Sequence, residues 1–169
     1  SLPFSTIDKE EQLEILYQRQ EQYQDAEKIW EHRAIKGVTD IQTALINMLE
    51  IALHEKREND ADFFADLYEA VTREFCFPEW MCYNAHLQLA LVKKDKGSSM
   101  SILQKMLPAM KKEWDTRNCP LYRKADDSGS TWLSGKLVKT ITDELVNNEE
   151  YKFLRDGSEF ETLITQLKD

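Results

Sequence analysis

With 169 residues, 41% of them apolar and 31% charged, the chain is long enough for one domain with a full hydrophobic core and too apolar to be disordered. Its formal net charge of −9 opposes gripping a nucleic-acid backbone, and no uninterrupted apolar run is long enough to cross a membrane. Five Gly and four Pro against abundant Leu, Ala, Glu, Lys and Gln is a helix-forming composition, and three cysteines without a CxxC spacing suit a reduced, cytoplasmic setting.

Helical periodicity is nearly continuous, and no strand pattern competes with it. A first helix is predicted from Ile7 to Gln20, opened by Thr6 or Asp8 and burying Leu13, Leu16 and Tyr17. A second runs from Asp25 to Ile35, with Ala26, Ile29, Trp30 and Ala34 inward, and stops at Gly37. Asp40 caps a third, "IQTALINMLEIALHEK", and the polar break "RENDAD" leads into "FFADLYEAVTREF". Pro78 then punctuates the chain. The stretch "PEWMCYNAHLQLALVKK" opens a helix with its proline near the first turn, where the missing N–H costs nothing. A turn at Lys96–Ser98 precedes the return helix "SMSILQKMLPAMKKEW", with a kink expected at Pro108. "NCPLYRKADDSGS" reads as a long connection, and helices resume at "TWLSGKLVKTITDELV", "NEEYKFL" and "GSEFETLITQL". Charge is uneven along this series. Residues 1–92 carry a net −10, 93–124 a net +6 and 125–169 a net −5, the basic middle being read first as a solvated face.

A spacing recurs. Leu13, Tyr17, Ala26 and Trp30 have the same offsets as Met48, Ala52, Ala61 and Ala65, and as His86, Ala90, Ser99 and Leu103. A small residue early on the second helix of a hairpin lets it approach the first, which is the tetratricopeptide pattern with its period of ~34 residues. The fold class expected is therefore all-α: a tetratricopeptide-like array of antiparallel helical hairpins forming one domain over residues 1–169. The C-terminal helices, with Tyr151, Phe153, Leu154, Phe160, Leu163, Ile164 and Leu167, are expected to cap its open end.

The succession "YQDAEKIWEHRA", "TDIQTALINMLEIAL", "FFADLYEAV", "YNAHLQLALVKKD", "ILQKMLPAM", "CPLYRK" and "EEYKFLRDGSEFETLI" resembles the C-terminal domain of XRE-type helix-turn-helix transcription regulators of Gram-positive bacteria. The resemblance runs across nearly the whole chain and rests mostly on packing residues. It implies a tetratricopeptide-like region that senses a ligand, assembles dimers, or both, following an N-terminal DNA-binding domain. Peptide-pheromone receptors of the Rgg and PlcR kind share that architecture. The chain shows no helix-turn-helix segment of its own, and its start without Met in a linker-like "SLPFS" suits a piece of a longer protein. DNA contact is then expected only through the missing domain, with a homodimer forming through the C-terminal half and a peptide or small molecule as effector.

No GxSxG, P-loop, GxGxxG or HExxH pattern is present, so an enzyme is not expected, and no cofactor is implied. Cys82 and His86 stand four apart on one helix face as two of the ligands a zinc site needs, but His86 also occupies a repeat packing position and reads better as a core histidine. Carboxylate pairs such as Glu10/Glu14 and Asp62/Asp66 read as solvated outer faces. A groove lined by the first helix of each hairpin is the better candidate. In the repeat register it presents Gln18, Thr43, Glu50, His54, Met81, Asn84 and Gln88. Amide side chains such as Asn84 and Gln88 each offer a donor and an acceptor, as pairing with an extended peptide requires, and Met81 conforms to irregular apolar groups. Trp80, Tyr83, Trp114, Tyr122 and Trp132 flank the irregular connection and read as core-closing aromatics. "CPLYRK" stays open between a functional corner and a docking edge. A free-standing adaptor that binds a protein or peptide partner is the alternative to a regulator domain.

Overall fold

The computed structural model describes residues 9–19, 22–116, 119–124 and 130–168, the side chains of 10, 11, 14, 18, 130–137 and 166–168 excepted. Among the described residues every regular element is helical: α1 (Lys9–Arg19), α2 (Tyr23–His54), α3 (Glu58–Glu74), α4 (Asn84–Val92), α5 (Lys96–Met110), α6 (Ser130–Asn147), α7 (Lys152–Arg155) and α8 (Ser158–Lys168). Short 3₁₀ turns at Glu79–Tyr83, Pro120–Tyr122 and Glu149–Tyr151 join them. None of the helices is long and apolar enough to cross a membrane. The expected caps at Thr6 and Asp8 lie outside the described residues.

The largest departure from the sequence reading is α2. The two helices expected on either side of Gly37 are one helix of 32 residues. Gly37 sits inside it, and Asp40 is a helical surface residue with no capping role. Packing explains the continuity. Val38, Gln42, Leu45, Leu49 and Ala52 are buried at spacings of four and three, so a helix that passes through Gly37 keeps one stripe facing the core. Locally, the hydroxyls of Thr39 and Thr43 donate to the carbonyls four residues back, Ile35 and Thr39, at 2.9 Å each. These threonines support the helix interior rather than opening a new one. A glycine there costs about 1 kcal/mol relative to alanine, too little to break a helix held by such a stripe.

The ends of α2, α3 and α4 share one device. Lys56, Cys76 and Lys94 adopt left-handed φ values of 61°, 54° and 52°. In each case the next residue donates back across the helix end, Arg57 to Ala52, Phe77 to Thr72 and Asp95 to Ala90. These are Schellman closures made without glycine. The expected break "RENDAD" shrinks to the closure at Glu55–Arg57, and the rest of it is the first turn of α3. Likewise Lys96 already belongs to α5, because Asp95 caps it by accepting from the Ser98 amide at 3.1 Å. The same helix continues past Pro108 to Met110.

The three-residue closures fold α2 against α3 and α4 against α5 as antiparallel hairpins. Ala52, Ala61 and Ala65 are fully buried where α2 meets α3, with Leu45, Leu49 and Tyr68 around them. Ala90, Ser99 and Leu103 are buried where α4 meets α5. A second core joins Leu87, Leu103 and Leu107 to Val138, Leu145, Leu154, Phe160 and Leu163 of the C-terminal helices. Helix α4 lies between the two, giving Ala85 and Leu89 to one core and Leu87 to the other. Of the C-terminal residues expected as a cap, Tyr151, Phe153, Leu154, Phe160, Leu163 and Ile164 pack on this core, and the Leu167 side chain lies outside those described. At the opposite end α1 lies on the start of α2, and among the described residues no further layer covers it. Ala26 is buried as expected, but Leu13 (45% exposed), Leu16 (53%) and Trp30 (48%) are surface residues, contrary to the sequence reading. The Arg33 guanidinium lies 5.1 Å over the Trp30 ring.

Candidate ligand cleft

The first turns of α4 carry a stripe of Asn84, Leu87, Gln88 and Leu91, at helical spacings of three and four. It faces a cleft of about 670 Å³ between the α2–α3 and α4–α5 hairpins and the C-terminal cap. The volume falls in the usual range for small-ligand sites. Ile46 of α2 and Ile141 and Leu145 of α6 supply apolar walls, and Glu144, Glu150 and Tyr151 form the rim contributed by the cap. Lys94, held by the closure of α4, is the cation on the lining among the described residues.

The polar groups are oriented by neighbours. The Asn84 amide nitrogen donates to the Tyr68 hydroxyl at 3.4 Å, and the Gln88 amide donates to the Glu50 carboxylate of α2. Each amide keeps an oxygen that can accept a further hydrogen bond. Burial pushes the Tyr68 hydroxyl above its ordinary pKa, and burial followed by the negative charges of Glu144 and Glu150 does the same to Tyr151. Both phenols therefore remain neutral hydrogen-bonding groups at neutral pH.

Of the seven groove residues predicted, Asn84 and Gln88 line this cleft, and Glu50 reaches it through Gln88. Thr43 is exposed with its hydroxyl committed to Thr39, His54 is exposed in the last turn of α2, and Met81 is half-buried in a 3₁₀ turn. Gln18 lies on α1, its side chain outside those described. Sequence reasoning missed Ile46, Tyr68, Glu144, Glu150 and Tyr151. Ile46 and Tyr68 come from α2 and α3 and the other three from the C-terminal cap, so all reach α4 from distant positions that no local pattern records.

Other sequence readings change here. His86 is not a core histidine: it is part-exposed, with Nε2 3.2 Å from Glu69 and 3.5 Å from Asp66 of α3. Asp62 and Asp66 are exposed as expected, and Lys93, just past α4, pairs with Asp62 at 3.3 Å. These contacts cross-link α3 to α4 on the face away from the cleft. Cys82 is buried, its thiol pushed up by desolvation first. Among the described residues no group of three or more His, Cys, Asp or Glu side chains is arranged to hold a metal ion. The chain matches no family model, no curated protein and no solved structure at a significant level.

Proposed function

We propose that the chain is the ligand-sensing and dimerising domain of a bacterial transcription regulator, non-catalytic and tetratricopeptide-like, whose DNA contacts belong to a separate N-terminal domain. The resemblance in the sequence motivates the regulator class, and the observation that carries ligand sensing is the cleft. An apolar floor crossed by two oriented amides accepts an extended peptide or a small molecule with apolar groups, and Glu144 and Glu150 favour a cationic end at the cap. Closure of the cap over such a ligand couples occupancy to the position of the C-terminal helices. A thermal-shift screen of the chain against short apolar peptides carrying one basic residue tests this. Binders should raise the melting temperature of the wild type and lose that effect in Asn84→Leu. Binding that ignores this substitution would move the ligand elsewhere.

The homodimer in this reading is placed on α2 rather than on the C-terminal half. Among the described residues the large exposed apolar side chains gather on α1–α3, and Val146 is the one beyond residue 124. On α2 a second stripe, Ala34, Gly37, Ile41, Ala44, Met48 and Ile51, continues at spacings of three and four for about 26 Å. In an antiparallel pairing with a second copy, Ile41 meets Ala44, Met48 meets Gly37 and Ile51 meets Ala34. Each large side chain then faces a small one, the size complementarity a two-fold interface requires. The adaptor alternative uses the same stripe for a different protein.

A further inference from the structure

Several cations of the basic stretch 93–124 are spent inside the fold. Lys93 pairs with Asp62 at 3.3 Å and Glu58 at 3.8 Å, Lys112 pairs with Glu79 at 2.8 Å, and Lys96 donates to the Asp156 carbonyl. In "CPLYRK", Lys124 lies 3.9 Å from Glu27 while its amide donates to the buried Glu31 carboxylate at 2.8 Å. The Tyr122 hydroxyl and the Trp114 indole donate to the Phe75 and Cys76 carbonyls at 2.5 and 2.9 Å. That segment therefore ties the connection after α5 to α2 and to the end of α3. Lys94 is different. The left-handed turn at φ 52° separates it from Lys93, which faces α3, and Lys94 lines the cleft. Its exposed ammonium makes no ion pair or hydrogen bond with a described residue. The adjacent Asp95 carboxylate is turned to the start of α5, where its two oxygens accept from the amide and hydroxyl of Ser98.

The opposite charge stands on the cap. Glu144 and Glu150 line the same cleft, and among the described residues neither is in an ion pair. Asn148 orders this rim: its side-chain amide donates to Glu144 at 2.7 Å and its side-chain oxygen accepts from the Glu150 amide at 2.9 Å. The nearby Arg155 is committed elsewhere, donating to the Leu145 and Asn148 carbonyls and lying 3.9 Å from Glu149. An apolar strip that includes Leu87 and Leu91 thus carries one unmatched cation and two unmatched anions on its borders. Along α4 the lining runs from Asn84 to Leu91, about 10 Å, the reach of roughly three extended residues, and Lys94 lies one turn beyond.

We propose that the ligand is a short zwitterionic peptide of about four residues, its free C-terminal carboxylate received by Lys94 and a guanidinium or ammonium group by Glu144 and Glu150. This assignment rests on the ligand-sensing reading of the cleft and adds to it the chain end and the direction of the peptide. The C-terminus lies at the closure of α4, apolar side chains rest on Leu87 and Leu91, and the Asn84 and Gln88 amides receive the backbone. Requiring a charge of each sign makes the cleft stricter than apolar contact alone. A segment from the middle of a longer chain brings no carboxylate to Lys94, and covering that ammonium without a partner opposes binding. The cleft therefore reads released peptides and rejects the same sequence inside an intact protein.

The test is equilibrium dialysis of the chain against a pool of N-acetylated tetrapeptides, read by mass spectrometry. The peptides begin with arginine, end with leucine, carry apolar residues between, and are made both as free acids and as C-terminal amides. The wild type should bind the acids about tenfold more tightly than the matching amides. Lys94→Gln should bring the acids down to the level of the amides at an unchanged melting temperature, and Lys93→Gln, on the far face, should leave the ratio as it was. Replacing arginine with neutral citrulline should weaken binding to the wild type several-fold and leave binding to the double variant Glu144→Gln, Glu150→Gln unchanged. Equal binding of acids and amides, or an acid preference that survives Lys94→Gln, would overturn the assignment and keep the cleft as a ligand site. An amide ending in glutamate that binds as well as the acids would move the carboxylate from the chain end to a side chain and overturn it too. Binding of no member of the pool would remove the sensing reading, and this assignment with it.

Discussion

Gly37 and Lys56 reverse the usual roles of their residue types. The glycine occupies the exposed interior of α2, where an added Cβ would find no atom within 4 Å. The lysine occupies a left-handed closure that favours glycine. Gly37→Ala is expected to stabilise the monomer by about 0.5–1 kcal/mol, read as an increased urea midpoint at low protein concentration. An unchanged or lower midpoint would mean that α2 is not continuous there. Thr72 is the other informative single residue. Fully buried on α3, its hydroxyl donates to the Tyr68 carbonyl and accepts from the buried Gln42 amide at 2.7 Å. Thr72→Val keeps the volume but strands the Gln42 amide, so a loss of about 1–3 kcal/mol is expected. The double variant Thr72→Val, Gln42→Leu should recover part of it, and additive losses in denaturant titrations would argue against the coupling.

Elements here are defined by the surfaces they meet. Helix α4 is apolar nearly all round because it is buried between two cores, so its sequence carries little sense of which side faces the cleft. The α2–α3 hairpin is the opposite case, with alanines marking the line of closest approach. Ala61→Trp should destabilise by about 3 kcal/mol or more, since a fully buried contact between helices has no room for an indole. A melting temperature equal to wild type would remove this packing line. At the other end of the molecule α1 rests on α2, and among the described residues nothing covers it, which leaves Leu13 and Leu16 exposed.

At the scale of the whole molecule, the open apolar stripe of α2 and the acidic surface set the expected behaviour. Light scattering at tens of micromolar should report a dimer that Met48→Glu converts to a monomer of about 20 kDa, while an interface this narrow keeps the affinity modest. A wild-type chain that stays monomeric would instead leave the stripe to another segment or partner. The isolated chain is not expected to bind duplex DNA: its net charge of −9 opposes counterion release from the phosphates. A sequence-selective, salt-sensitive gel shift by this chain alone would overturn that expectation.

The all-α character, the small residues between hairpins and the amphipathic C-terminal cap were legible in the sequence because each is a matter of local propensity and periodicity. Ala26, Ala61, Ala90 and Ser99 were found as close-packing positions from spacing alone, and two residues named from the same register, Asn84 and Gln88, line the cleft. Local signals could not decide whether α2 stops at Gly37, because a helix continues or ends according to what its buried stripe packs against. Nor could they pair His86 with Glu69, set Tyr122 on Phe75, or bring Glu144 and Tyr151 to the cleft. Those contacts join residues far apart in the chain. Their free energy exists only once the hairpins have docked, and that docking was decided by the tertiary structure.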